Sequence, residues 1–255
     1  MASVDLRVVT WNLLTETNEQ APSWRIRIPE AAAYLRSLRP AVVGTQEAST
    51  AMLDTLVAGL PGYRWAGEGR RGRGRDERSA VVYDGEALTV LDVRNRWLSA
   101  TPEVPGSAAP DADLPRMLTA VRFHHAESGA LFTVVNTHAD HLGAGARLIG
   151  ADLVAAAVGD GPTVVLGDFN DPAGDSDAYR VLVGSGLVDA VRPERRRPTF
   201  AGLRPEDEGG QIDWVLVTPD VEVVESRIAD GPAQASDHRP VVADLRIPQP
   251  AANQR

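Results

Sequence analysis

Cysteine is absent from this chain, and so is lysine: all 26 basic residues are arginine. Without cysteine there is no disulfide, no thiolate metal site and no sulfur nucleophile, so reactive chemistry falls to carboxylates, amides, hydroxyls and imidazoles. Aromatic residues are sparse at 5%, which leaves few rings on which nucleobases could stack. Basic charge is outnumbered by 35 acidic residues, for a formal net charge of -9. A polyanion would be attracted only by local basic patches, against the overall field, which disfavours duplex DNA as the main substrate. No apolar run approaches the roughly 18 to 20 residues that span a bilayer, and the opening MASVDLRVVTWNLL lacks the features of a secretory signal. The sequence therefore reads as a cytoplasmic, monomeric protein with no membrane partner.

What is present is ordinary for a folded protein: 43% hydrophobic and 24% charged residues over 255 positions. That length and composition predict one domain over residues 1–248, with residues 249–255 as a disordered tail. Short apolar, β-branched runs bounded by Gly, Pro, Asp or Asn predict strands at 6–11, 41–45, 80–83, 118–123, 131–136, 163–166, 212–217 and 240–245. Apolar residues spaced three and four apart predict helices at 28–38, 50–60, 145–158 and 177–183. Residues 67–78, rich in Gly and Arg, and the Pro-rich 101–115 read as irregular. The pattern is α/β (α+β): two packed β-sheets flanked by helices.

Polar residues gather where the apolar strands end, at positions a packed scaffold can hold rigidly. Asn12 ends the first strand, Gln46-Glu47 the second and Asn136-Thr137-His138 a middle one. Gly167-Asp168-Phe169-Asn170 follows Val164-Val165-Leu166, and Ser236-Asp237-His238 precedes the last strand. Glu47, Asn12 and Asp237 supply the hard oxygen atoms that Mg²⁺ (or Mn²⁺) prefers. Asp168 and Asn170, two residues apart after a buried strand, can face one side: an acid to accept a proton from water and an amide to donate to a phosphate, although an Asx turn would use the same residues. A cationic His238 would stabilise negative charge on phosphate, with Asp213 as the carboxylate that keeps it charged. The run Gly67-Glu68-Gly69-Arg70-Arg71-Gly72-Arg73-Gly74-Arg75 lacks the ending of a nucleotide-binding P-loop, so its arginines are candidates only for a phosphate-binding flap.

Taken in order, WNLL, TQE, NTH, GDFN, the ID of QIDWV and SDHRPV resemble the signature series of the endonuclease/exonuclease/phosphatase superfamily, whose members are DNase I-like. The series spans Trp11 to Pro240. The resemblance implies a four-layer α/β sandwich, two packed mixed β-sheets flanked by helices, and hydrolysis of phosphate esters by in-line attack of activated water. It also implies roles: Glu47 as principal metal ligand with Asn12, Asp237 and Asp168 beside it, Asp168 also as base, Asn170 and His238 on the scissile phosphate, and Asp213 orienting His238. His138 matches a second catalytic histidine that pairs with a glutamate, assigned to Glu77 from the segment Asp76-Glu77-Arg78-Ser79, with Glu86 as fallback; Arg116 matches an arginine that approaches phosphate. The stretch 97–107, followed by Asn136-Thr137-His138-Ala139-Asp140-His141, resembles a bacterial branch of the superfamily. It suggests Asp140 and His141 as determinants of the branch's substrate specificity, a position that exposed loop residues would fill equally well; Asn136 is taken with them as a substrate contact.

The expected activity is a metal-dependent phosphoesterase acting on a small phosphorylated metabolite or nucleotide. The alternatives are a Mg²⁺-dependent endo/exonuclease on DNA or RNA, and a catalytically silent binding module of the same fold.

Overall fold

The computed structural model describes residues 3–72, 74, 76–203 and 209–249. Among these residues, two six-stranded sheets pack face to face with two helices on each outer side. In chain order the elements are β1 (Ser3–Asn12), α1 (Trp24–Leu38), β2 (Val42–Ala48), α2 (Thr50–Ala58), β3 (Tyr63–Ala66), β4 (Arg78–Asp84), β5 (Leu88–Trp97), β6 (Met117–His125), β7 (Leu131–His138), α3 (Ala144–Ala157), β8 (Thr163–Asp168), α4 (Asp177–Gly184), β9 (Val188–Asp189), β10 (Asp213–Val217), β11 (Glu222–Ile228) and β12 (Val241–Pro248). The first sheet runs β11-β12-β1-β2-β4-β3 and the second β5-β6-β7-β8-β10-β9. This is the four-layer, DNase I-like α/β sandwich that the motif series implied. No helix among the described residues is long and apolar enough to cross a membrane.

Three apolar layers hold the sandwich together. The middle one lies between the sheets, where Val8, Val42, Val81, Phe123, Val134, Leu166 and Val215 meet. On one outer face α1 and α2 bury Ile28, Leu35, Met52 and Leu56 against Val9, Trp11 and Val43. On the other, α3 and α4 bury Val154 and Leu182 against Val135, Val165 and Trp214. Central strands are thus covered on both faces, which is why they read as unbroken apolar runs. Serines cap three of the helices: Ser23, Ser49 and Ser176 accept from backbone N–H groups of the first turns. The sheets approach so closely at Gly44 that a Cβ there would lie 1.8 Å from Leu166 Cδ1.

All eight expected strands and four expected helices fall on observed elements, with ends differing by a few residues. The structure adds β3, β5, β9 and β11. The segment 101–115 is irregular, as expected. Of the expected tail, Gln249 follows β12, and residues 250–255 lie outside the described residues.

Candidate active site

The parallel pairs β1–β2 and β7–β8 end at the same rim of the sandwich, so their terminal side chains converge there. Register does much of the work in the second sheet. His138 pairs with Asp168 across β7–β8, and Asp213 pairs with Asp168 across β8–β10, placing three functional residues in one row. Gly167 is needed just before Asp168, because a Cβ there would sit 2.2 Å from the carbonyl oxygen of Thr137. In the first sheet the β2–β4 register shifts between Thr45 and Ala48, and Glu47 inside this bulge has φ 63. Bulges of this kind re-aim a side chain at a functional rim, at a backbone cost of order 1–3 kcal/mol for a non-glycine residue at positive φ.

A cavity of about 390 Å³ opens at this rim, lined by the acids Glu47, Glu77 and Asp237 and by the basic groups Arg70, Arg116, His138, His141 and His238. Asp168, 1% exposed, lies beneath it. Its Oδ2 accepts from Asn12 Nδ2 at 3.0 Å and faces His138 Nε2 at 3.5 Å and His238 Nε2 at 3.8 Å. Its Oδ1 accepts from the Asn170 N–H at 3.0 Å, so the Asx turn forms. Asn170 lines the cavity with φ 49 and donates from Nδ2 to the Ala139 carbonyl.

The two histidines are held in opposite charge states. His238 Nδ1 meets Asp213 Oδ2 at 2.9 Å. Burial of the imidazole works against its charge, but the carboxylates of Asp213 and Asp168 prevail and push its pKa up to about 10. His238 is therefore an imidazolium at neutral pH. His138 Nδ1 instead meets Arg116 Nη1 at 3.0 Å. A guanidinium has donors only, so Nδ1 must accept and the proton resides on Nε2, toward Asp168. Burial and then the Arg116 charge hold the His138 pKa well below its ordinary value, and this ring is neutral. Asp168 is raised to about 7, by burial and then by Asp213.

The donor set suits a hard divalent cation. Glu47 and Asp237 present carboxylates to the cavity with Asp168 below them. Asp168, Asp213 and His238 also bring ligand atoms within 4.8 Å of one another, a spacing a cation could use. A protonated imidazole offers no lone pair, however, so the oxygen donors form the better set. Asn12, expected as a further ligand, lies against two of the acids. Its Nδ2 donates to Glu47 Oε1 at 2.9 Å and to Asp168, while its Oδ1 accepts from the Leu14 N–H. Reversing the amide would aim its oxygen at both carboxylates, so here Asn12 acts as the donor that holds two acids together.

Other expectations need correction. Glu77 does not pair with His138: its Oε2 accepts from Arg70 Nη1 at 2.6 Å and its Oε1 from Thr15 Oγ1 at 3.1 Å. The fallback, Glu86, follows β4 near Gly62 and does not line the cavity. Asn136 is buried between the sheets, donating to the carbonyls of Thr45 and Ala80 and accepting from Gln46 Nε2, so it cannot reach a substrate. Asp140 is 1% exposed. It gathers the N–H groups of Asp113, Leu114, Leu142 and Gly143 around the loop and lies 3.7 Å from Arg116. It shapes the wall without facing the cavity. His141 does line it, accepting from Arg116 Nη2 at 3.1 Å. In the Gly/Arg segment Arg70 reaches the wall and Arg71 does not, whereas Arg73 and Arg75 lie outside the described residues.

Sequence reasoning missed Thr15, whose N–H donates to Glu47 Oε2 at 2.7 Å. It also missed Thr199, which accepts the N–H groups of Ile212 and Asp213, and Phe200, edge-on to His238 at 5.2 Å. None carries a signal of its own, since each acts through a neighbour that only folding supplies.

The model of the Endonuclease/Exonuclease/phosphatase family matches residues 9–238. The chain belongs to that family. It is a family of phosphoric ester hydrolases that depend on a divalent metal. Among solved structures, the chain is similar to an endonuclease/exonuclease/phosphatase from Bacteroides vulgatus, with 31% identity, TM-score 0.89 and coverage of 96% of this chain and 100% of that one. It is similar to a family protein from Bacteroides thetaiotaomicron at 27% identity and TM-score 0.86, covering 97% and 100%. It is also similar to the mannosyl-6-phosphatase of Bacteroides thetaiotaomicron at 28% identity and TM-score 0.84, covering 94% and 99%. No curated protein matches the sequence.

Proposed function

We propose that this member of the family hydrolyses a phosphate ester of a small metabolite or nucleotide by in-line attack of water. One observation carries the reading: Asp168 Oδ2 faces both His238 Nε2 and His138 Nε2 beneath a cavity rimmed by Glu47 and Asp237. Asp168 accepts the proton of the attacking water. His238, held charged by Asp213, donates to a phosphate oxygen and stabilises the charge that builds there. Asn170 and the Nε2–H of His138 add neutral donors, and Arg116 brings a guanidinium to the same phosphate. Glu47 and Asp237, with Asp168 beside them, would hold Mg²⁺ or Mn²⁺. When bound, such an ion supplies Lewis-acid neutralisation of phosphate charge and lowers the pKa of water.

The cavity supports a small substrate. About 390 Å³ suits a sugar phosphate or a nucleotide, and Phe200, Leu114 and Ile212 offer apolar surface for the group that leaves. The net charge of -9 argues against a nucleic acid. The likeness to a mannosyl-6-phosphatase supports sugar phosphates as the first class to examine.

The deciding experiment is a Mg²⁺- and Mn²⁺-dependent screen over sugar phosphates, nucleotides, phospholipids and oligonucleotides. Hydrolysis of a small phosphate ester, reduced on the order of 10²- to 10⁴-fold by Asp168→Asn, is expected. Activity confined to oligonucleotides would move the assignment to a nuclease. A chain that binds divalent metal but hydrolyses nothing would be a binding module.

A further inference from the structure

Arg27 is 1% exposed, yet no carboxylate accepts its hydrogen bonds among the described residues. Its guanidinium donates instead to five backbone carbonyls, those of Leu13, Leu14, Thr15, Pro22 and Ala235, at 2.6 to 3.2 Å. Burying a guanidinium is costly unless its donors are satisfied, and an apolar residue would fill the same space more cheaply. What an apolar residue could not do is fold a chain segment around itself. Three successive carbonyls point at Arg27 because the backbone turns at Leu14, which has φ 57. The same turn aims the N–H of Thr15 outward at Glu47 Oε2.

The fifth carbonyl comes from a distant segment. Ala235 stands two residues before Asp237, so its bond to Arg27 anchors the loop that carries this carboxylate. Ser236 closes the same junction from the other side: its Oγ donates to the Asn12 carbonyl at 2.6 Å and accepts the His238 N–H at 3.0 Å. One guanidinium and one hydroxyl thus staple residues 12–15 to residues 235–238. Arg27 in turn feels the charges of Asp237 and Glu47, so the staple sets a guanidinium within electrostatic reach of both acids.

We propose that Arg27, completed by Ser236, is a positioning clamp that holds Glu47 and Asp237 at the spacing at which they take up a divalent cation. The proposal rests on the metal-dependent reading of the site. Lysine cannot take over, because an ammonium has three donors on a flexible stem and no planar fork to gather carbonyls from two segments.

Calorimetric titration of the metal-free full-length chain with Mn²⁺, well below the melting temperature, tests it. Native protein takes up Mn²⁺ and Glu47→Gln does not. Arg27→Lys, folded by circular dichroism, loses about 10- to 100-fold in Mn²⁺ affinity, as loss of a group that orients ligands typically does. Ser236→Ala loses affinity in the same direction by a smaller factor, and in both variants kcat returns toward the native value as Mn²⁺ is raised. Native affinity in a folded Arg27→Lys overturns the clamp. Should Arg27→Lys not fold, Ser236→Ala decides, and native affinity there overturns it equally. If native protein takes up no Mn²⁺, the functional reading itself fails.

Discussion

The two arms of the site use the same residue type to opposite ends. On one arm His238 is hydrogen-bonded by Asp213 and remains an imidazolium up to about 10. On the other, His138 is bonded by Arg116 and stays neutral well below the ordinary imidazole range. Both rings point Nε2 at the same oxygen of Asp168. The difference is made by what stands behind each Nδ1: an acceptor-only carboxylate in one case, a donor-only guanidinium in the other. A charged donor and a neutral donor are thereby set on either side of one base, without any change in the ring itself.

The strongest way to break this contrast is Asp213→Asn. Removing the carboxylate takes away the charge that sustains His238, so its pKa should fall from about 10 toward its ordinary value. Activity should drop on the order of 10²-fold or more if the imidazolium is what meets the phosphate. Imidazole resonances of the metal-free variant give the first quantity and steady-state rates the second; an unshifted His238 titration would remove Asp213 from its role.

Arg116→Met sharpens the other arm. With the guanidinium gone His138 should titrate at higher pH, and KM should rise roughly 10-fold or more while kcat changes less, the expected loss for a charge-assisted hydrogen bond to substrate. A fall in kcat at unchanged KM would instead place Arg116 in the chemical step.

The contrast should also appear in stability against pH. His238 has a raised folded pKa, so its contribution is fully present below the unfolded value near 6.5 and is lost as pH rises through about 10. His138 has the opposite sign: with its folded pKa depressed, it favours unfolding as pH falls below about 6.5. Because the chain has no lysine, none titrates across the alkaline window. Melting temperatures of native protein and Asp213→Asn should therefore converge as pH rises toward 10 and beyond. Parallel curves would mean that His238 is not charged in the native state.

The smallest functional effect belongs to Asn136→Ala. It leaves Gln46 Nε2 and the carbonyls of Thr45 and Ala80 short of partners inside the sandwich, so urea unfolding should show a loss of about 1–3 kcal/mol. KM should hardly move, and a large rise in KM would return Asn136 to the substrate.

The four strands that the sequence reading did not anticipate have one property in common. β3 and β11 are the edges of the first sheet, and β5 and β9 are the edges of the second. An edge strand is not covered as a central one is, so it carries polar residues where central strands carry apolar runs: β5 reads LTVLDVRNRW with much of its length exposed, whereas β8 reads TVVLGD and is buried throughout. The site divides in a similar way. Glu47, Asp168, Asn170, Asp237 and His238 were legible because strand ends announce themselves as an abrupt change from apolar to polar residues. Glu77, Asn136 and Asp140 were misjudged because a polar residue looks the same in sequence whether it faces a cavity, an arginine or the opposite sheet.

The metal-dependent phosphoesterase class was thus written in the chain itself, in an ordered series of acids, amides and histidines at strand ends that needs no coordinates to be read. Partnership was not. Which carboxylate stands behind His238, that an arginine stands behind His138, and that Arg27 gathers segments more than 200 residues apart depend on strand register and sheet packing. Charge state is set by those neighbours, and they become neighbours only when the two sheets close on each other.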